Sequence, residues 1–189
     1  MARYGALYPV WAPIKTDTTS AAPTYDTSKK QTLGELVKVT ETPNFAEATQ
    51  YGDNRAVEYV NMFKDCDLDT EETDLSMEQA AALYGATLAT DDVAVTYKTG
   101  DSAPYGGFGF VSCKIRNGVK SYIGVWYSKV KAIMQASEHD TRNDSITLGT
   151  DKVKFKAIAP NGSDEWKDTK SFADEAAAKT WLDGKISAT

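Results

Sequence analysis

The chain has 189 residues, of which 41% are hydrophobic and 25% charged, as is usual for a globular protein with a packed core. Its net charge of −6 argues against a surface that grips nucleic acid, because such surfaces need clustered lysine and arginine. Its apolar runs are shorter than the roughly 20 residues of a membrane helix, and the N-terminus lacks the apolar stretch of a secretory signal. We expect one domain, residues 1–189.

The N-terminal third alternates between strand-like and polar segments. Strands are predicted at residues 3–11, 33–42 and 55–63, where β-branched and aromatic residues are frequent. The segments at 12–31 and 44–54 are rich in turn-forming and polar residues, so we predict two long exposed arms.

An acidic segment and a short helix follow. Residues 65–74 place carboxylates at alternate positions, as an EF-hand loop begins, but the required sixth-position glycine and twelfth-position glutamate are missing. We therefore predict an acidic surface loop without a metal. Ser76 is a good helix N-cap, Gln79 completes a capping box, and Gly85 stands where a C′ glycine belongs.

The most informative segment runs from Tyr105 to Met134, after a predicted strand at residues 92–98. Its two arms are rich in β-branched and aromatic residues, and they flank the dipeptide Asn117-Gly118. Asn-Gly suits a two-residue type I′ turn, because both positions need positive φ, so a long β-hairpin is predicted. Glycines in its first arm are expected to relieve crowding where sheets or subunits come close: Gly106, Gly107 and Gly109.

The C-terminal part is predicted to hold a last strand pair, residues 145–148 and 152–159, and a helix at about 172–183. Trp181 is the expected anchor of that helix. Many strands with two segregated short helices predict a mainly β fold. We expect an antiparallel β-sandwich or half-barrel, with the two short α-helices packed outside.

Residues suited to catalysis or metal binding are scarce. The single histidine, His139, and two separated cysteines, Cys66 and Cys113, cannot assemble a catalytic triad or a zinc site. We expect free thiols in a protein made in the cytoplasm. The sequence thus predicts no enzyme, no catalytic residue, no cofactor and no metal.

Taken together, the segments resemble the major tail proteins (tail tube proteins) of long-tailed bacteriophages of the siphovirus type. The resemblance covers nearly the whole chain and depends on the order and spacing of several segments. These are RYGALYPVWAPI, KKQTLGELVKVTETPNFAEATQYGDNRAVEYV, DLSMEQAAALYGAT, PYGGFGFVSCKIRNGVKSYIGVWYSKVKAI and WKDTKSFADEAAAKTWLDG.

The resemblance implies a tail-tube type of fold in a structural virion protein that forms homohexameric rings. The rings would stack into a tube around a tape-measure protein, between tail terminator and distal tail proteins. DNA would pass through the lumen into the host without specific binding, and no membrane partner is implied. The protein would reside in the virion tail after assembly in the host cell cytoplasm.

The same resemblance gives residues their expected roles. The arms at 12–31 and 44–54 become inter-subunit loops that are mobile in the free subunit. Glu58 is the acidic residue expected to face the lumen, with a solvated exterior face as the alternative. Lys129 and Lys131, which share one face of their strand, are candidates for contact with acidic groups of a neighbouring subunit.

The main alternative is a monomeric β-sandwich module that binds a partner or decorates a virion or cell surface. Such a module is expected to gather exposed aromatic residues in its loops. The aromatic residues of the long hairpin instead lie within predicted strands, which favours core and subunit contacts. An enzyme on a β-sandwich scaffold is a third reading.

Overall fold

A computed structural model of the protein describes residues 2–90, 94–137 and 149–187. The fold is mainly β, with 57% strand and 14% helix, which confirms the predicted class of antiparallel strands with two short helices. The strands are β1 (Ala2–Thr16), β2 (Thr24–Tyr25), β3 (Gln31–Thr32), β4 (Leu36–Gly52), β5 (Arg55–Glu72), β6 (Thr87–Leu88), β7 (Val95–Thr96), β8 (Tyr105–Arg116), β9 (Val119–Met134), β10 (Asp151–Ala157) and β11 (Lys167–Phe172). The helices are α1 (Met77–Tyr84) and α2 (Glu175–Ser187), and a 3₁₀ turn covers Thr27–Lys29.

Nine of these strands form one antiparallel sheet in the order β2-β1-β8-β9-β10-β5-β4, with β3 beside β1 and β11 beside β9. The edge of β9 that faces away from β8 is shared, because residues 122–127 pair with β11 and residues 130–134 pair with β10. The sheet curls until β1 and β4 come into contact, although the described residues of these strands form no ladder. The result is a half-barrel with an open seam.

The curled sheet carries a packed core on each side. Inside the curl, Phe108 stacks on Phe155 with ring centroids 4.6 Å apart, and Leu83 of α1 packs into the same cluster. The prediction that both helices pack outside is therefore wrong for α1, because its buried face closes the inner cluster. On the outside, Leu182 of α2 packs with Trp126 of β9. The buried side chains of α2 recur at i, i+4 and i+8, which is one helical face: Ala178, Leu182 and Ile186.

The predicted β8–β9 hairpin is confirmed. Asn117 and Gly118 have φ values of 51° and 79°, as a type I′ turn requires. The crowding expected at its glycines is also present, and it arises within the chain. A Cβ added at Gly107 would overlap the ring of Trp126, and one at Gly109 would lie 2.7 Å from Leu182 Cδ2. These glycines leave room on one face of β8 for the ring of Trp126 and the side chain of Leu182.

The first helix begins and ends as predicted. Ser76 Oγ accepts a hydrogen bond from the Gln79 N–H at 3.2 Å, and Gln79 Oε1 accepts one from the Ser76 N–H at 2.9 Å. Gly85 ends the helix with φ of 70°. The second helix starts at Glu175 and continues to Ser187, so it begins and ends later than the predicted span of 172–183.

The prediction of a loop at residues 44–54 is wrong. β4 continues to Gly52 and β5 starts at Arg55, so the connection is a two-residue turn in which Asp53 and Asn54 have φ of 50° and 62°. Pro43 does not end the strand, because β4 lies at the edge of the sheet, where a missing N–H costs no ladder hydrogen bond.

The prediction of one long loop or arm over residues 12–31 is also wrong. β1 extends to Thr16, and two short strands and a 3₁₀ turn follow before residue 33. Tyr25 is buried against Trp126 in an edge-to-face contact, and its hydroxyl donates a hydrogen bond to the Ser128 carbonyl at 2.7 Å. Burial of this aromatic ring holds the segment on the body of the protein.

The acidic segment at residues 65–74 is a strand for most of its length, not a surface loop, because β5 continues to Glu72. Three of its carboxylates face lysines of β10 across the ladder: Glu71 is opposite Lys152, Asp69 opposite Lys154 and Asp67 opposite Lys156. The Nζ atoms of Lys154 and Lys156 each lie 3.5 Å from Asp67 Oδ1. The opposite charges remove the repulsion that would make such a strand unfavourable alone.

The remaining predictions are met in part. β7 covers two residues of the predicted strand at 92–98, and β10 matches the predicted strand at 152–159 to within two residues. Cys66 and Cys113 are buried free thiols. The predicted strand at 145–148 and His139 lie outside the described residues.

Candidate assembly surface

The outer half of the β4–β5 hairpin extends away from the packed body of the protein. We call residues 45–63 the distal hairpin. Within the described chain, this part of β5 pairs with β4 alone, and β4 has no strand on its other edge. Every residue from 46 to 62 is exposed except the partly buried Gly52. A two-stranded ribbon without a packed face is marginally stable in water, so the distal hairpin (hereafter also the limb) is expected to be stabilised by contact with a partner.

The distal hairpin is fastened at its base. Phe63 stacks on Trp166 with ring centroids 4.2 Å apart, and Phe45 meets Phe63 edge-on at 6.2 Å. Asn44 Nδ2 donates hydrogen bonds to Asp65 Oδ1 at 2.7 Å and to Asp67 Oδ2 at 3.0 Å. The bond from Asn44 lowers the pKa of the Asp65 carboxyl, and Lys156 acts in the same direction. These contacts fix where the limb leaves the body.

Both faces of the distal hairpin carry exposed apolar side chains. Tyr59 and Val60 point to opposite faces, since successive residues of a strand alternate. Tyr51 near the turn is 73% exposed, the highest value among the large hydrophobic residues that are exposed. The exposed apolar residues of the limb are Phe45, Tyr51, Val57, Tyr59, Val60 and Met62. Contiguous apolar surface of this kind usually marks a protein–protein contact.

The charges of the limb are predominantly acidic. Arg55 is its one basic residue. Its acidic residues are Glu47, Asp53 and Glu58. Glu58 is exposed and pairs across the ladder with Gln50, on the same face as Val60. Its orientation toward a lumen stays a prediction, because that orientation depends on neighbouring copies.

The two lysines predicted to contact a neighbour have different surroundings. Both lie over the ring of Tyr105, with Nζ atoms 4.8 Å and 5.3 Å from the ring centroid. Lys129 is 7% exposed and its Nζ lies 2.6 Å from Asp17 Oδ2, so its acidic partner belongs to its own chain. A role for Lys129 in subunit contact is therefore not supported. Lys131 donates to Ser102 Oγ at 3.1 Å and is partly exposed, so its role stays a prediction.

A cavity of about 540 Å³ lies at the seam of the half-barrel, between β1 and β4. We call it the seam cavity. Its wall includes apolar side chains of β8 and β9, among them Phe110 and Val125. Lys167 of β11 and Glu41 of β4 form an ion pair in this wall. Arg3 and Lys114 also line it, and they lie directly opposite each other on β1 and β8.

One buried carboxyl lies apart from both features. Glu72 ends β5 and is fully buried, which raises its pKa to about 7, and nearby Asp151 adds to the effect. The Thr70 hydroxyl lies 3.4 Å from Glu72 Oε1, while Oε2 has no hydrogen-bond partner among the described residues. This group bears on stability and not on a binding surface, because it is enclosed by the fold.

The sequence interpretation missed the seam cavity and the continuous β4–β5 hairpin. Asp53-Asn54 was a signal for the hairpin, because both residue types tolerate positive φ. The cavity has no comparable local signal, since its walls come from five strands.

In residues 2–90, 94–137 and 149–187 we find no group of three or more metal-ligating side chains placed to hold an ion. No helix in those ranges has the length and apolar character needed to cross a membrane.

A scan against protein-family models and a search of curated proteins gave no match to this chain.

Proposed function

We propose that the protein is a structural virion subunit that assembles with copies of itself into stacked hexameric rings. The rings form the tail tube of a long-tailed phage, the conduit for DNA ejection. The distal hairpin is the observation that carries the proposal. It presents apolar side chains on both faces and an unpaired strand edge, which are features that a self-assembling subunit would bury.

The magnitudes fit a role in association. Removing the remaining exposed area of each apolar side chain contributes on the order of 1 kcal/mol, so the six of them contribute several kcal/mol per subunit. Association of two proteins costs roughly 4–15 kcal/mol in lost freedom. The limb therefore offsets a substantial part of that cost, while ladder hydrogen bonds and other contacts supply the remainder.

The ring number and the partners rest on the family resemblance. That resemblance supports six copies per ring, a tape-measure protein inside the tube, and tail terminator and distal tail proteins at its ends. The acidic balance of the chain is compatible with DNA passage, because phosphates are not retained by a surface of like charge. Glu58 is proposed to face the lumen within this arrangement.

Electron microscopy of the purified chain tests the proposal. Negative-stain images at increasing protein concentration are expected to show rings or tubes with a central hole. Light scattering should report a mass that grows with concentration. Compact monomers at every concentration and salt condition would instead support the alternative, a monomeric binding or decoration module whose limb contacts a different protein.

A further inference from the structure

We propose that the seam cavity is the receptor for the tip of the distal hairpin of a second copy of this chain. The Asp53 carboxylate would lie between Arg3 and Lys114, and the Tyr51 ring would enter the apolar part of the cavity. The inference rests on the proposed function, because it names the contact by which one subunit holds the next.

The cavity mouth carries uncompensated positive charge. Arg3 and Lys114 are direct cross-strand partners, an arrangement in which like charges repel. Within the described ranges neither has a carboxylate within ion-pair distance, whereas Lys167 is already paired with Glu41. A carboxylate placed between Arg3 and Lys114 would convert a repulsive pair into an attractive cluster.

The backbone keeps this mouth open. Tyr4 and Gly5 of β1 stand opposite the single residue Cys113 of β8, which is a β-bulge with Gly5 at φ of 69°. β4 also leaves its outer edge unpaired here, at Val39 to Glu41. The seam therefore has room for an inserted turn without displacement of an existing strand.

The interior of the cavity suits an aromatic ring. Phe110 and Val125 form part of its wall, together with the partly exposed Ile123 and Val39. A volume of about 540 Å³ is within the usual range of roughly 300–1,000 Å³ for binding pockets. Aromatic side chains seated in such pockets are the usual centres of binding energy at protein interfaces.

The hairpin tip complements both parts. Asp53 is exposed in a two-residue turn, and nearby Tyr51 is the most exposed of the large hydrophobic residues that the structure describes. The tip is narrow because two strands converge on two turn residues. A single approach would thus bring a carboxylate to the cationic mouth and a ring to the apolar wall.

The tip cannot reach the cavity of its own chain. Glu41, in the cavity wall, and Asp53, at the tip, are separated by 12 residues of nearly continuous strand. At about 3.3 Å per residue this places them on the order of 35–40 Å apart. A contact between different surfaces of two copies is head-to-tail, which generates closed rings or open filaments.

Disulfide trapping tests the contact directly. Asp53→Cys protein is mixed with Arg3→Cys protein under mild oxidation, with one of the two carrying a size tag. We expect a cross-linked species of mixed size. The matched control is Asp53→Cys mixed with Lys120→Cys, an exposed lysine near the turn of the β8–β9 hairpin and outside the cavity lining. The buried native cysteines are common to all samples.

Charge exchange provides a second measurement. Asp53→Asn keeps a residue that tolerates positive φ and should raise the concentration for half-assembly about tenfold. Asp53→Lys alone should weaken assembly further, and combining it with Lys114→Glu should restore half-assembly to within about threefold of wild type. If the wild-type chain assembles, the Asp53→Asn variant assembles at the same concentration and no specific cross-link forms, this docking is overturned and the proposed function stands. A wild-type chain that never assembles would overturn both.

Discussion

Two long hairpins with the same kind of turn have opposite surroundings in this protein. The β8–β9 hairpin has strands on both outer edges and a packed core on each face. The inner part of the β4–β5 hairpin has one further strand, β10, which pairs with β5 from Cys66 to Glu72, while the distal hairpin at residues 45–63 has no third strand in the described chain. Turn chemistry therefore determines that a hairpin forms, while its neighbours determine whether it is part of the scaffold or an exposed limb.

The largest expected effect concerns the inner part of the β4–β5 hairpin, where β5 pairs with β10 and belongs to the packed body of the protein. Burial raises the pKa of Glu72 to about 7, above the unfolded value of 4.5. The native state therefore binds this proton more tightly, and stability is lost as pH rises from about 4.5 through about 7, by about 3 kcal/mol. Glu72→Gln cannot ionise, so it should be more stable than wild type by about 3 kcal/mol at pH 8 and nearly equal at pH 4.

Urea unfolding at both pH values measures this difference. Glu71→Gln is the matched control, since Glu71 is the adjacent carboxylate and is only partly buried. The same gain in stability at pH 8 in both variants would contradict the burial of Glu72. It would then also contradict the assignment of the inner part of the hairpin to the packed body of the protein.

A second prediction compares a glycine in each hairpin. Gly107→Ala should destabilise the fold by about 2 kcal/mol, because its Cβ would overlap the Trp126 ring in a packed core. Gly52→Ala should cost less than about 0.5 kcal/mol, because its Cβ meets only Cγ2 of Val57, at 3.0 Å, and Val57 is exposed and free to shift slightly. Thermal unfolding of dilute protein checks both values, and equal costs would contradict the assignment of one scaffold and one limb.

The smallest expected effect is on association and uses one exposed valine from each hairpin. Val57 is 64% exposed on the limb and Val119 is 69% exposed at the β8–β9 turn. Val57→Lys should raise the concentration for half-assembly about tenfold, equivalent to about 1.4 kcal/mol, because a charge replaces an apolar contact. Val119→Lys should change it less than twofold. Light scattering across a dilution series distinguishes the two variants. Similar shifts in the concentration for half-assembly would show that the limb contributes no more to association than the β8–β9 turn does.

Local chemistry explains which elements were predictable from the sequence. The capping box of Ser76 and Gln79 and the turn at Asn117-Gly118 involve neighbouring residues, and both predictions are confirmed. The mainly β class follows from the same strand and turn patterns.

The features that were missed depend on residues far apart in the chain. The acidic end of β5 becomes a stable strand through lysines nearly 90 residues away on β10, as in the pair Asp67 and Lys156. Lys129 is buried because Asp17 reaches it from the opposite end of the sequence. The cationic pair of Arg3 and Lys114 exists only in the register of β1 against β8. None of these pairings can be predicted from the sequence without knowing which strands are neighbours in the sheet.

Pro43 has a consequence for the open edge of β4. A bare strand edge of 17 residues would be a template for uncontrolled fibre growth, which needs an unbroken run of backbone donors. Pro43 supplies no N–H and divides that edge into two shorter stretches. The open edge of β4 is therefore a poorer template for amyloid-like stacking than its length alone would suggest.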